Sequence, residues 1–320
     1  PRNEPGAGNS LVAYTSYRGR MYRHPPPSVK EQGALDPVSN SVPTRRLEPR
    51  EPSGVLPRRP ATPRLRLAIR VTGPGGDVLT ELRRNLDELH ARIEAARTRG
   101  PHAAPEVTLV VVTKAQPRAV FPLLAQAGVR HIGENRVPQA LERRPGTPST
   151  LTWHGIGHLQ RNKAAGAAEV FDVFHALDSA RLASRLESVL AREGRRWPVY
   201  IQVNAAADPA KGGVEPEETA AFVQALSDHP HLVPQGFMTM ARLDADEAGT
   251  RRAFATLREV RNDILQRGIG RSEATGLSMG MSSDYEVAVE EGATIVRVGT
   301  AVFEGVDIAA SERNAEKESP

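Results

Sequence analysis

The 320-residue chain has no cysteine. Disulfides and thiolate metal sites are therefore excluded, and a reducing cytoplasm is the expected setting. Aromatic residues are scarce, at 4% of the chain, while Ala, Val, Leu and Gly are plentiful. Small interdigitating side chains suit an α/β architecture better than a sandwich. No run of about 18 consecutive apolar residues occurs, which argues against a membrane span. No apolar stretch follows the basic residues at the N-terminus, which argues against a secretory signal.

The net charge of +4 invites a nucleic-acid reading, but the charge is unevenly spread. Residues 1–70 carry 13 Lys/Arg against 5 Asp/Glu, whereas residues 71–320 carry 29 against 33. The basic excess thus belongs to the N-terminal segment, and no nucleic-acid partner is expected for the rest. That segment also holds 12 of the 26 prolines, including Pro25-Pro26-Pro27, and has neither helical nor strand periodicity. It reads as a disordered, solvated extension over 1–70. An upstream region translated from a mis-set start, with Met21 as an internal start, and a nucleic-acid-binding arm are the weaker readings. A domain over 71–310 and a short tail over 311–320 complete the expected organisation.

From about Asp77 the pattern changes. Leu79, Leu82, Leu86, Leu89 and Ile93 recur at helical spacing. The run Val107-Thr108-Leu109-Val110-Val111-Val112 then has the length and β-branching of a strand buried on both faces, as in parallel sheets. Pro117 sits where a following helix begins. Strand, polar turn and helix recur, with further strands expected near 129–132, 151–156, 170–176, 199–203, 232–237, 275–277 and 294–298. Eight such units match a single-domain (β/α)8 TIM barrel. The rival, an open doubly wound sheet, lacks its Gly-x-Gly-x-x-Gly turn after the first strand.

In such a barrel chemistry sits at the C-terminal strand ends, where the loops converge on one mouth. Those positions read Lys114, Glu134-Asn135, His158, Asp178, Asn204, Met238-Thr239, Ser278-Met279 and Arg297-x-Gly299-Thr300. Lys114 follows an apolar strand, where lysine is rarely found without a purpose, and a strand-end amine can attack an aldehyde. A lysine snorkelling to solvent is the plainer alternative. Gly276-Leu277-Ser278-Met279-Gly280-Met281-Ser282 offers small residues and hydroxyls where a backbone must approach a ligand. With Val298-Gly299-Thr300 it matches the usual barrel phosphate cradle, with ordinary loop glycines as the plainer alternative. Arg297 interrupts an apolar strand, either as a buried ion pair or facing a ligand. His154 and His158 have metal-pair spacing for a helix, but they flank a strand end and no third ligand is evident. No metal is expected.

The segments Val112-Thr113-Lys114, Ile132-Gly133-Glu134-Asn135, Trp153-His154-Gly155-Ile156-Gly157-His158, Ile201-Gln202-Val203-Asn204, Gly236-Phe237-Met238-Thr239-Met240, Leu277-Ser278-Met279-Gly280-Met281-Ser282 and Val296-Arg297-Val298-Gly299-Thr300 resemble the YggS/PROSC pyridoxal phosphate homeostasis proteins. The resemblance runs from about residue 78 to 305. It implies a barrel like the N-terminal domain of alanine racemase, with pyridoxal 5′-phosphate as a Schiff base on Lys114. Arg297 would face the pyridine nitrogen and keep it unprotonated, weakening the electron sink that amino-acid chemistry exploits. Ser282, Gly299 and Thr300 would hold the phosphate, Asn204 and His158 would line the ring, and Met238 and Met279 would pack near it. Asp208 stands where the family has Glu, a departure away from these positions.

Two function classes remain. A racemase needs a second acid/base group, supplied in alanine racemase by a tyrosine of a further domain. Tyr14, Tyr17 and Tyr22 lie in the extension, Tyr200 is expected at the start of the fifth strand at the wrong barrel end, and Tyr285 in the helix after strand seven. With that further domain expected to be absent, the reading is a monomeric, non-catalytic carrier with no catalytic residue. It would buffer pyridoxal phosphate and release it, with apo pyridoxal-phosphate enzymes as recipients. A weak racemase is the alternative, and a Schiff-base aldolase stands behind it.

Overall fold

The apolar run expected as a first strand forms one at Thr108–Val112 (β1), preceded by the amphipathic helix Val78–Arg99 (α1). The computed structural model describes residues 78–308. The expected extension over 1–70 and the tail over 311–320 lie outside the described residues. Helices and strands then alternate: Val120–Gln126 (α2), His131–Glu134 (β2), Val137–Arg143 (α3), Thr152–Gly155 (β3), Ala164–Val170 (α4) and Val173–Leu177 (β4). They continue with Ala180–Glu193 (α5), Trp197–Gln202 (β5), Thr219–Ala225 (α6), Leu232–Met238 (β6), Glu247–Gln266 (α7), Gly276–Ser278 (β7), Tyr285–Glu290 (α8) and Ile295–Val298 (β8).

The strands form a closed parallel barrel in sequence order. β8 returns to β1 with Val110 opposite Arg297 and Val111 opposite Val298. Strands buried on both faces must be covered inside and out, which the closed barrel and its outer helices do. Outward residues such as Phe174 and Trp197, stacked with centroids 5.3 Å apart, face the helices. Inward residues fill the barrel.

Helix ends obey local chemistry. Ser179 caps α5 by accepting from the Leu182 amide, and Gly194 ends it in the left-handed conformation. Asp246 caps α7 by accepting from the Gly249 amide at 2.7 Å. Asn85 ties α1 to the chain after β8 by donating to the carbonyls of Val302 and Glu304. An ion-pair girdle joins three helices: Arg92 and Arg99 of α1 meet Glu286, Arg99 and Arg251 meet Glu290, and Arg251 and Arg258 of α7 meet Glu291. Among the described residues no helix is long and apolar enough to cross a membrane.

Candidate functional site

Lys114 lies two residues beyond β1, exposed on a tight turn closed by the Gln116 amide donating to the Thr113 carbonyl. The turn is clamped from behind. Thr113 points outward and donates to Glu134 Oε1 at 2.5 Å. Arg143 of α3 donates to the same oxygen at 2.6 Å and to the carbonyls of Thr113 and Gln116. Strand alternation then directs Lys114 to the mouth side. Burial pushes the Glu134 carboxyl up, while the Thr113 hydroxyl and the Arg143 guanidinium pull it back. Its second oxygen, Oε2, is buried without a partner.

Arg297 is the deepest cation. It is 4% exposed and projects into the barrel. Nη1 donates to Ser278 Oγ at 2.6 Å and Nη2 to the Thr239 carbonyl at 3.0 Å. No carboxylate forms an ion pair with it among the described residues, so the structural ion-pair reading does not hold. Asp284 acts from longer range. Burial pulls the guanidinium down to about 10, partly offset by Asp284, and leaves it cationic at neutral pH. Two of its five N–H groups thus have protein acceptors, and three remain for a ligand.

The loops after β7 and β8 meet beside it. Ser282 Oγ accepts from the Gly299 amide at 3.3 Å, joining the two loops. A Cβ on Gly299 would lie 3.0 Å from the Val112 carbonyl oxygen, so this loop presses onto the end of β1. Gly280 has φ +92°, and a Cβ there would sit 2.6 Å from that of Ala288. Both loops are therefore packed closely against the protein, with Thr300 exposed at the rim.

The other expected residues are more dispersed. Asn204, just past β5, accepts from the Asp208 amide and donates to Glu215. Met238 and Met279 are fully buried under the mouth. His158 is 71% exposed and contacts Asp178 at 3.0 Å. It is separated from His154, which lies inside the barrel between His131 and His175. The His154–His158 spacing therefore makes no pair, and no cluster of three potential ligands occurs among the described residues. Tyr200 departs from expectation. It is the fourth residue of β5 rather than its start, because the strand begins at Trp197, and its ring stacks on His175 inside the barrel at 4.6 Å. It also lies against Gly276 at the start of β7, below the mouth.

Two elements escaped the sequence reading. Arg143 reads as an ordinary helix-surface arginine until α3 docks it behind Lys114. His131, His154 and His175 occupy inner positions of three successive strands and form a hydrogen-bonded row. Their spacing of about one strand–helix unit was the available signal.

The alanine racemase N-terminal domain family matches residues 84–306. The pyridoxal phosphate homeostasis protein of Pseudomonas aeruginosa is 36% identical over 234 residues, 72% of this chain and 99% of that protein. The chain belongs to the pyridoxal phosphate homeostasis protein family. Its Vibrio cholerae member is 33% identical over 230 residues, covering 70% of this chain and 96% of that one. PipY of Synechococcus elongatus, solved with pyridoxal phosphate bound, aligns with TM-score 0.60 at 35% identity, over 69% of this chain and 99% of that one. An alanine racemase of Clostridium difficile, at 15% identity and TM-score 0.58, shares the fold.

Proposed function

We propose that the barrel mouth binds pyridoxal 5′-phosphate, holds it covalently through the Lys114 amine, and buffers or releases it without turning over amino acids. The observation that carries this reading is Arg297, a buried cation with no carboxylate partner, next to two joined glycine loops. A buried unpaired charge is costly, and a ring nitrogen and a phosphate complement what these residues offer. The homeostasis relatives and the pyridoxal-phosphate-bound PipY structure support it.

When bound, the cofactor supplies an aldehyde that accepts a primary amine. Lys114 supplies that amine from a turn held by Arg143 and Glu134. Ser282, Gly299 and Thr300 would hold the phosphate, and Arg297 would donate to the ring nitrogen, its charge disfavouring protonation there. Asn204 and His158 would line the ring, and Met238 and Met279 would pack near it. Turnover would need a second proton-transfer group across from Lys114. Among the described residues the tyrosines are Tyr200, inside the barrel, and Tyr285, buried in α8. The homeostasis relatives favour the carrier reading, with apo pyridoxal-phosphate enzymes as recipients and a monomer as the working form.

A visible absorbance spectrum of the protein incubated with pyridoxal phosphate, then borohydride reduction and peptide mapping, tests the reading. The expected result is a band that disappears on reduction and a pyridoxyl label on the Lys114 peptide. A protein that takes up no cofactor refutes it. Amino-acid turnover at an enzyme-like rate sinks the carrier assignment while leaving cofactor binding intact.

A further inference from the structure

The barrel interior is more polar than cofactor holding requires. His131 Nδ1 lies 3.0 Å from His154 Nε2, His154 Nδ1 lies 2.8 Å from His175 Nε2, and His175 Nδ1 lies 2.8 Å from Ser278 Oγ. Ser278 in turn accepts from Arg297. The row climbs the barrel. His131 opens β2 at the N-terminal rim and is paired with Thr152, two positions before His154. His154 is paired with Val173, two positions before His175. Each step therefore moves two residues further along the strand direction, with successive ring centroids 5.2 and 5.0 Å apart. His154 and His175 are buried, and His131 is half-buried at the far end.

The direction of these bonds follows from the one group whose role is invariant. A guanidinium only donates, so Arg297 occupies a lone pair of Ser278 Oγ. The serine proton then has one acceptor in reach, His175 Nδ1. His175 must carry its proton on Nε2 and donate it to His154 Nδ1. His154 likewise donates from Nε2 to His131 Nδ1, leaving the His131 Nε2–H at the rim. The opposite direction would leave the serine proton without an acceptor, which is costly in a buried site. Burial, with the neighbouring imidazole and Arg297 acting in the same sense, holds His175 well below the usual imidazole range. Burial, helped by His131, holds His154 at about 3. Both rings stay neutral, so each has one proton to place. Tyr200, stacked on His175, is pushed up to about 12 by burial and also stays neutral.

We propose that His131, His154, His175 and Ser278 are positioning residues: a one-way hydrogen-bond relay that fixes Arg297 as a donor aimed at the ring nitrogen and couples the far barrel rim to the cofactor. This rests on the reading that Arg297 faces that ring.

Nitrogen-15 NMR of the ligand-free full chain, with histidine labelled and resonances assigned through single His→Gln variants, reads the relay directly. All three rings are expected as the Nε2–H tautomer near neutral pH. An Nδ1–H tautomer or an imidazolium at His154 or His175 would overturn the directional relay. In the loaded protein, Ser278→Ala is expected to shift the visible band and speed cofactor release by about tenfold, the cost of one charge-assisted hydrogen bond. Ser278→Thr, which keeps the hydroxyl, should restore both. His131→Phe, remote from the mouth, should mix the His154 tautomers and move band and release by about twofold, within the lower range for a neutral hydrogen bond. Unchanged band and release in folded Ser278→Ala and His131→Phe would overturn the coupling. Expected tautomers in a protein that takes up no pyridoxal phosphate would refute the cofactor reading and leave the relay standing.

Discussion

Arg258 in α7 is half-buried and Arg297 in β8 is buried, and their surroundings are opposite. Arg258 meets the Glu291 carboxylate, which Arg251 also approaches at 3.2 Å. Among the described residues Arg297 donates only to a serine hydroxyl and a backbone carbonyl. Both cations lose hydration on burial, and only Arg258 recovers it as an ion pair. The girdle between α1, α7 and α8 pairs its arginines with Glu286, Glu290 and Glu291, whereas the barrel interior leaves Arg297 without an ion pair among the described residues. A protein retains such an imbalance where an external group completes it, and this imbalance lies beside the joined loops at the mouth.

Acid should separate the two regions most strongly. Unfolded histidine titrates near about 6.5, while burial keeps folded His154 at about 3 and His175 well below the usual range. Below about pH 6.5 the unfolded chain therefore binds protons that the barrel refuses. Stability should fall with acid by about 1.4 kcal/mol per pH unit for each of the two rings. The girdle behaves differently. Burial raises the Glu286 and Glu290 carboxyls, but hydrogen bonds from Arg92, Arg99 and Arg251 outweigh it and hold them below the usual value of 4.5. Their contribution is present above that value and is lost as the pH falls through their lowered pKa values. Urea unfolding between pH 7 and 4 reads this directly, and a flat profile down to pH 5 would contradict the neutral histidine row.

Arg143→Met should cost about 3–5 kcal/mol, because Glu134 is fully buried and would lose its counterion. The same variant should slow labelling of Lys114. Arg258→Met should cost less, about 2–3 kcal/mol, since Arg251 still faces Glu291. Arg297→Met sharpens the contrast: removing an unmatched buried charge should leave stability within about 1 kcal/mol of wild type. Cofactor retention should nevertheless drop at least tenfold, measured by absorbance after gel filtration. A large destabilisation by Arg297→Met would mean that the charge is matched internally after all. Arg97→Ala, which breaks the exposed pair with Glu94, should leave the urea midpoint unchanged.

Much of the barrel was legible because strands buried on both faces stand out as apolar runs between polar turns. Edges were less so. The second strand was expected over 129–132 and forms at His131–Glu134, and the fourth begins at Val173 rather than 170. Val129 and Val170 are buried, but Val129 lies in the turn before β2 and Val170 is the last residue of α4, so their apolar character extends the run without extending the ladder. The same limit misplaced Tyr200, since Trp197 and Pro198 begin β5. At the mouth, residues carried by short motifs were visible, from Lys114 to Gly299 and Thr300. Arg143 was not, because its role depends on which side of α3 faces the Lys114 turn.

By itself the sequence determined the strand–helix alternation, the polar strand ends and the glycine loops, since each depends on neighbours in the chain. The tertiary structure alone decided that Arg297 forms no ion pair among the described residues and that Lys114 is clamped from behind. It also decided that His131, His154, His175 and Ser278 form one row. Those contacts join residues up to 103 positions apart, as between His175 and Ser278. Barrel closure and strand stagger bring them together, and neither is a property of any local stretch of chain.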